Sequence, residues 1–163
     1  MKETLWQPLP ITYRGFVYPS QLNPHGRLHE RVQVDCFDQA SWHLLALLGV
    51  GPRRLHETSR GFITLEHRVA SMQPAGTAAA LSIDSELLEL GISTLRYRHT
   101  MRDAEAQQTL STMERLRAFV VLGERRPIAL PPIVARRAQL LFPAVAVHSG
   151  TRAEAQPAAS LID

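Results

Sequence analysis

Ile11 to Tyr18 is rich in Tyr, Phe, Val and Thr and predicts a first strand, ended by Pro19-Ser20. In the loop that follows, Asn23-Pro24-His25-Gly26 places a proline and a glycine two residues apart, which demands a tight turn. From about Leu28 to Leu48 the period becomes helical. Val34, Phe37, Ser41, Leu44, Leu45 and Leu48 fall at spacings of three and four, and Gly49 stops the run. Trp42 to Leu48 is apolar on nearly every side, which suits a helix enclosed by a sheet. Gly51 to Gly61 is a polar, arginine-bearing connection. Four strands are then predicted, at Gly61 to Ala70, Thr77 to Leu88, Ile92 to Met101 and Gln107 to Leu122. Pro74-Ala75-Gly76, Glu89-Leu90-Gly91 and Arg102-Asp103-Ala104-Glu105 separate them and offer three hairpin-like returns. Pro127 to Pro132 ends the last strand, and Ile133 to Leu141 reads as a short helix.

One strand, one long apolar helix and four long strands leave few compact solutions. The economical one is an α+β domain whose curved antiparallel sheet wraps around the helix. Such a sheet has free edges, and pairing them between two copies hides them, so a homodimer or a higher homo-oligomer is expected. The domain is placed at residues 1–149, and the small, polar, proline-bearing residues 150–163 read as a flexible tail.

With 163 residues, 45% of them apolar, the chain fits one domain with one core. No stretch reaches the roughly 18 to 20 apolar residues of a membrane span, and Met1 to Trp6 lacks a secretory apolar run, so a soluble, cytoplasmic protein is expected. The net charge of +3 is too small to imply nucleic acid without a concentrated patch. Arginine nonetheless dominates the cations, with Lys2 the only lysine. Its planar fork suits phosphate, so Arg53-Arg54, Arg125-Arg126 and Arg136-Arg137 are candidates for a nucleotide-like moiety, the alternative being solvated surface. Cys36 stands alone, which excludes an internal disulfide and reads as a buried free thiol; no metal set assembles around it.

Several short segments share their order with one known family: Gln21-Leu22-Asn23-Pro24-His25-Gly26, Phe37-Asp38-Gln39-Ala40, Leu47-Leu48-Gly49, Gln73-Pro74-Ala75-Gly76, Gly91-Ile92-Ser93-Thr94 and Arg126-Pro127-Ile128-Ala129-Leu130-Pro131. Over roughly Tyr13 to Leu130 the chain resembles the hotdog-fold acyl-CoA thioesterases, in particular the 4-hydroxybenzoyl-CoA thioesterase and acyl-CoA thioester hydrolase branch. The resemblance implies hydrolysis of a coenzyme A or acyl-carrier thioester by a dimer, with no separate cofactor, since coenzyme A is part of the substrate. The loop of that branch carries two acids, where this chain has Gln21 and Asn23. A sister branch of broad-specificity hydrolases has N-x-x-G in the loop and its working acid on the helix fifteen residues after the Asn, which is where Asp38 stands. That branch's Gly-Gly pair at the helix start is replaced here by Glu30-Arg31 or its neighbours.

Thioester hydrolysis needs a base or nucleophile at the carbonyl carbon and donors where the oxyanion develops. Asp38, with Phe37 before it and Trp42 one turn on, has no oppositely charged helical neighbour, so its carboxylate is solvated, paired elsewhere or lining a cleft. It is the candidate general base or nucleophile. The N–H groups of Gly26, Arg27 and Leu28, near the positive end of the helix dipole, are candidate oxyanion donors; otherwise Gly26 only makes the turn. Asn23 either orients water or the carbonyl, or serves the turn. His25 and His29 are minor candidates for a base, and Glu30 is explained by the dipole. Thr94 or Ser93 resembles a family position that places a hydroxyl near the site, with cross-strand packing as the alternative. Arg53, Arg54, Arg125 and Arg126 are assigned to the phosphates of coenzyme A. No phosphate-binding glycine loop is present. Trp42 and the methionines read first as ordinary core and second as an acyl pocket. Beside hydrolysis stand a non-hydrolysing acyl-thioester binder and a dehydratase or hydratase, whose His and acid pair does not align here.

Overall fold

The computed structural model describes residues 8–148. Strand β1 is Ile11–Phe16, followed by a single 3-10 turn, Pro19–Gln21. Helix α1 is Glu30–Leu47 and α2 is Pro52–Glu57. The long strands are β2 (Arg60–Ser71), β3 (Ala80–Leu90), β4 (Thr94–Asp103) and β5 (Thr109–Val121). Two short strands, β6 (Arg126–Pro127) and β7 (Ala146–Val147), flank α3 (Pro132–Leu141).

The sheet runs β1-β3-β4-β5-β2, with β6 beside β5 and β7 beside β3. All its pairs are antiparallel except β3 with β7. It curls around α1 as the resemblance implies, which is the hotdog arrangement. Of the three expected returns, only β3–β4 and β4–β5 are hairpins. The segment after β2 crosses to the other side of the sheet, because β2 pairs with β5 while β3 pairs with β1 and β4. The crossing is pinned on the way: Met72 and Gln73 donate to Leu110 O, and Leu28 N donates to Ala75 O. The polar connection after α1 holds the short helix α2, and the last long strand, β5, runs from Thr109 to Val121 rather than from Gln107 to Leu122.

The core lies between α1 and the concave face. Phe37, Ala40, Leu44, Leu45 and Leu48 from the helix are fully buried against Ile83, Leu95, Tyr97, Met101 and Met113. Each large aliphatic so enclosed contributes about 1.5–3 kcal/mol relative to exposure. Cys36 is buried, as expected of a lone thiol. Its pKa is raised by burial, and the Tyr13 phenol beside it is pushed up to about 12, also chiefly by burial. The tail assigned to residues 150–163, and Trp6, lie outside the described residues.

A bulge in β2 decides which side chains meet the helix. Thr64 pairs with Arg117, but Glu66 pairs with Leu116 and His67 with Arg115, so Leu65 is the extra residue. Side chains alternate along a strand, and one inserted residue exchanges the faces beyond it. His67 thereby joins Arg115 on the concave side, while Glu66 reaches Arg96 on the opposite side at 2.8 Å.

Candidate active site in the cleft between helix and edge strand

Where α1 passes β5 and the edge strand β2, the packing is polar. Gln33 Nε2 donates to Ser111 Oγ at 2.9 Å, and further along the helix a cleft lies against the sheet. This cleft, about 260 Å³, is lined by Asp38, Ser41 and Trp42 from α1, Thr64 from β2, and Arg115 and Arg117 from β5. Asp38, Ser41 and Trp42 share a helix face because they are three and four residues apart.

Arg115 organises this cleft. Its side chain is only 9% exposed, and Nη1 donates to Asp38 Oδ1 at 2.8 Å, while the Asp38 side chain is 49% exposed. Nε of Arg115 also donates to His67 Nδ1 at 3.2 Å. His67 Nδ1 is therefore an acceptor and the ring is neutral, in keeping with a pKa lowered first by burial and then by the Arg115 charge. Asp38 thus has one oxygen fixed by a buried guanidinium, and among the described residues Oδ2 has no hydrogen-bond partner. Arg117 donates to Phe62 O at 3.2 Å and lies over the rings of Trp42 and Phe62, at 5.8 and 5.4 Å. Trp42, 40% exposed, belongs to the cleft rather than to the core.

The other candidates lie elsewhere in this chain. Asn23 makes a side-chain turn: its Oδ1 accepts from His25 N at 2.9 Å and from Arg27 N at 3.1 Å, while its backbone O accepts from Gly26 N at 2.9 Å. With Leu28 N bound to Ala75 O at 3.0 Å, the N–H groups of Gly26, Arg27 and Leu28 are all occupied within the chain. Gly26 has φ +72, so it does make the turn. His29 caps α1, its Nδ1 accepting from Arg31 N, and Glu30 is the first helical residue. Asp38 is eight residues beyond Glu30, about 12 Å along the axis. Thr94 opens β4 opposite Ala118, and its carbonyl accepts from Gly91 N. It alternates to the face opposite Tyr97 and is about 10 Å along the strand from it. Ser93 O accepts from Phe119 N.

Arg53 and Arg54 are exposed on α2, and Arg125 and Arg126 are exposed at the β5–β6 turn. β2 begins just after α2, and Arg60 and Arg126 both pair with Val121, so the four arginines gather at one end of the sheet. Arg126 is engaged there with Glu124 at 3.1 Å. Arg137, from the third arginine pair, donates to Ala46 O and Leu47 O instead, at the end of α1.

Arg115, Arg117, His67 and His99 were not singled out in the sequence. Arg115 and Arg117 follow Met113 and precede Phe119 at alternate positions, and His99 stands between Tyr97 and Met101 in the same way. A charged or titratable residue in an apolar register is the signal that a partner must exist.

Comparison with known proteins agrees with this architecture. The model of the thioesterase-like superfamily matches residues 17–138. No curated protein is significantly similar in sequence. A Staphylococcus aureus protein characterised in complex with CoA superposes with a TM-score of 0.76 at 12% identity, over 95% of this chain and 98% of its own. A 1,4-dihydroxy-2-naphthoyl-CoA thioesterase from Synechocystis gives 0.69 at 15% identity, over 78% and 93%. A gentisyl-coenzyme A thioesterase gives 0.67 at 18% identity, over 76% and 98%. With the matched residues taking in the loop, the long helix, all of β2 to β5 and most of α3, the chain belongs to the thioesterase-like superfamily.

Proposed function

We propose that this protein hydrolyses an acyl thioester of coenzyme A, or of an acyl carrier, to the free acid and the thiol. The observation that carries the reading is Asp38: a half-exposed carboxylate at a cleft, fixed through one oxygen by buried Arg115 and with the other oxygen uncommitted. In this reading Asp38 takes a proton from water as the oxygen bonds to the thioester carbonyl carbon. The C–S bond then breaks and the proton passes to the departing thiolate. Trp42 and the Arg117 guanidinium flank the acyl group. The phosphates of coenzyme A are met by Arg53, Arg54, Arg125 and Arg126, contacts between exposed charges that weaken as salt rises. The neighbours solved with CoA or named as CoA thioesterases support the choice of substrate class.

A second reading has one observation in its favour. The loop N–H groups expected to hold the oxyanion are occupied, which suits a protein that binds acyl thioesters without turning them over. An assay of acetyl-, octanoyl- and benzoyl-CoA decides between the two. Asp38→Asn keeps the acceptor for Arg115, so the fold and acyl-CoA binding remain nearly intact, while turnover falls by at least about a hundredfold. Asn23→Ala, which disturbs the turn, has the smaller effect on rate. Full activity in Asp38→Asn, or no hydrolysis by the unmodified protein, removes the proposal.

A further inference from the structure

We propose that Ser41 is the hydroxyl that binds the carbonyl oxygen in this cleft, and that Thr12, Ser85 and His99 form a directed chain of hydrogen bonds that aims and polarises it. The inference rests on the thioester reading above and deepens it by naming the donor that the loop does not supply.

Ser41 Oγ lies 2.9 Å from Phe37 O and 3.0 Å from His99 Nε2. A hydroxyl has one hydrogen, and Phe37 O can only accept. With that hydrogen on Phe37 O, His99 Nε2 must be the donor to Ser41. The neutral ring then offers Nδ1 as acceptor to Ser85 Oγ, 2.6 Å away. Ser85 in turn accepts from Thr12 Oγ1, also at 2.6 Å. Thr12 Oγ1 also lies 3.3 Å from Ile83 O, a longer carbonyl contact than the 2.9 Å from Ser41 to Phe37 O, so the hydrogens run from Thr12 to Ser85 to His99 to Ser41 rather than the reverse, and each bond strengthens the next donor. Thr12, Ser41, Ser85 and His99 are all buried, so water does not compete along the chain.

Only its last member borders the cleft. There the Ser41 hydroxyl rests on a carbonyl that already accepts the helical N–H of the same residue, so turning that hydrogen toward a ligand leaves Phe37 O satisfied. Asp38 is three residues back on the same face. A thioester carbonyl in the cleft would have the free carboxylate oxygen near its carbon and the polarised hydroxyl at its oxygen. Ser41 is a donor here and not the nucleophile: His99 already carries a proton on the nitrogen that faces it, and burial together with Arg115 opposes a second. His99 is a positioning residue, since it acts through Ser41.

The test uses the full chain and CoA thioethers bearing a ¹³C-labelled ketone one methylene from sulfur, in acetonyl, 2-oxononyl and phenacyl forms, which cannot be hydrolysed. On binding, the carbonyl stretch moves to lower frequency. Ser41→Ala abolishes that shift with affinity within about threefold, and lowers kcat by about a hundredfold with little change in KM, on the usual worth of one oxyanion donor. His99→Gln, whose amide N–H can replace Nε2, retains most of the shift, and His99→Leu behaves like Ser41→Ala. Ser41→Ala and His99→Gln keep the test open if His99→Leu fails to fold. If the unmodified protein hydrolyses no acyl-CoA but its shift vanishes in Ser41→Ala, the thioesterase reading falls and the Ser41 assignment stands. An unshifted carbonyl in the unmodified protein, or a shift unchanged in Ser41→Ala, overturns it.

Discussion

His99 is fully enclosed, its ring stacked near Phe37 at 6.2 Å and tilted to Tyr97 at 5.0 Å, and both of its nitrogens meet hydroxyls. Burial, and then the charge of Arg115, lowers its pKa to about 3. The unfolded chain, with an ordinary value near 6.5, binds that proton first. The contribution of His99 to stability is thus complete above about pH 6.5 and is lost as the pH falls toward 3, at up to about 1.4 kcal/mol per pH unit. His67, shifted in the same direction, adds to the loss with the same sign. Urea unfolding between pH 7 and 4 should show a shallower pH dependence in His99→Gln than in the unmodified protein; parallel curves would mean that the ring is charged in the fold. Asp38 could be picked out in the sequence because it stands fifteen residues after Asn23, as the working acid does in the branch it resembles, and has no oppositely charged neighbour on the helix. Its partner could not, since Arg115 is 77 residues away and only the sheet brings it back.

The end of α1 shows a signal that was readable in full. Gly49 was expected to stop the helix, and it does so with φ +87. Gly49 N donates to Ala46 O and Val50 N to Leu45 O, the paired closing bonds that a left-handed residue permits. Arg137 from α3 then covers Ala46 O and Leu47 O. A Cβ on Gly49 would lie 3.0 Å from the Ile133 side chain, so backbone strain and crowding act together. Gly49→Ala should cost about 1–2 kcal/mol, measured by urea unfolding, from the left-handed penalty alone. A neutral result would overturn the assignment of a left-handed backbone requirement to this position. By contrast, α2 was missed because Pro52–Glu57 is a single polar turn and a half, too short for periodicity to register. The bulge at Leu65 was hidden for a different reason: it depends on which strand lies alongside, and β2 is 38 residues from the start of its partner β5 in a sequence that offers a nearer return.

Order along the chain was sufficient for the sheet around a helix, but not for the crossing after β2, because a proline and glycine segment serves a hairpin and a crossover equally well. That crossing leaves β2 at one edge, with β5 on one side only. It is a 12-residue strand, long for an edge, and it exposes Leu65 and Val69, with Met72 just beyond its end. Unpaired N–H and C=O groups flanked by apolar side chains invite another strand. Thr64 and His67 of the same strand belong to the cleft and to the Arg115 cluster, so a second copy paired here would also wall the cleft along its open side. The expected assembly is a homodimer in which two β2 strands join the sheets edge to edge and the two α1 helices run side by side. Sedimentation velocity at micromolar concentration should give a dimer, and Val69→Lys, which places a charge among the exposed apolar side chains of that edge, should give a monomer with its helix and strand content retained. A monomeric unmodified chain would overturn the expectation. A Val69→Lys dimer would move the interface to the other edge, where Ile11 and Phe16 of β1 are exposed, and would leave the cleft open to solvent in both copies.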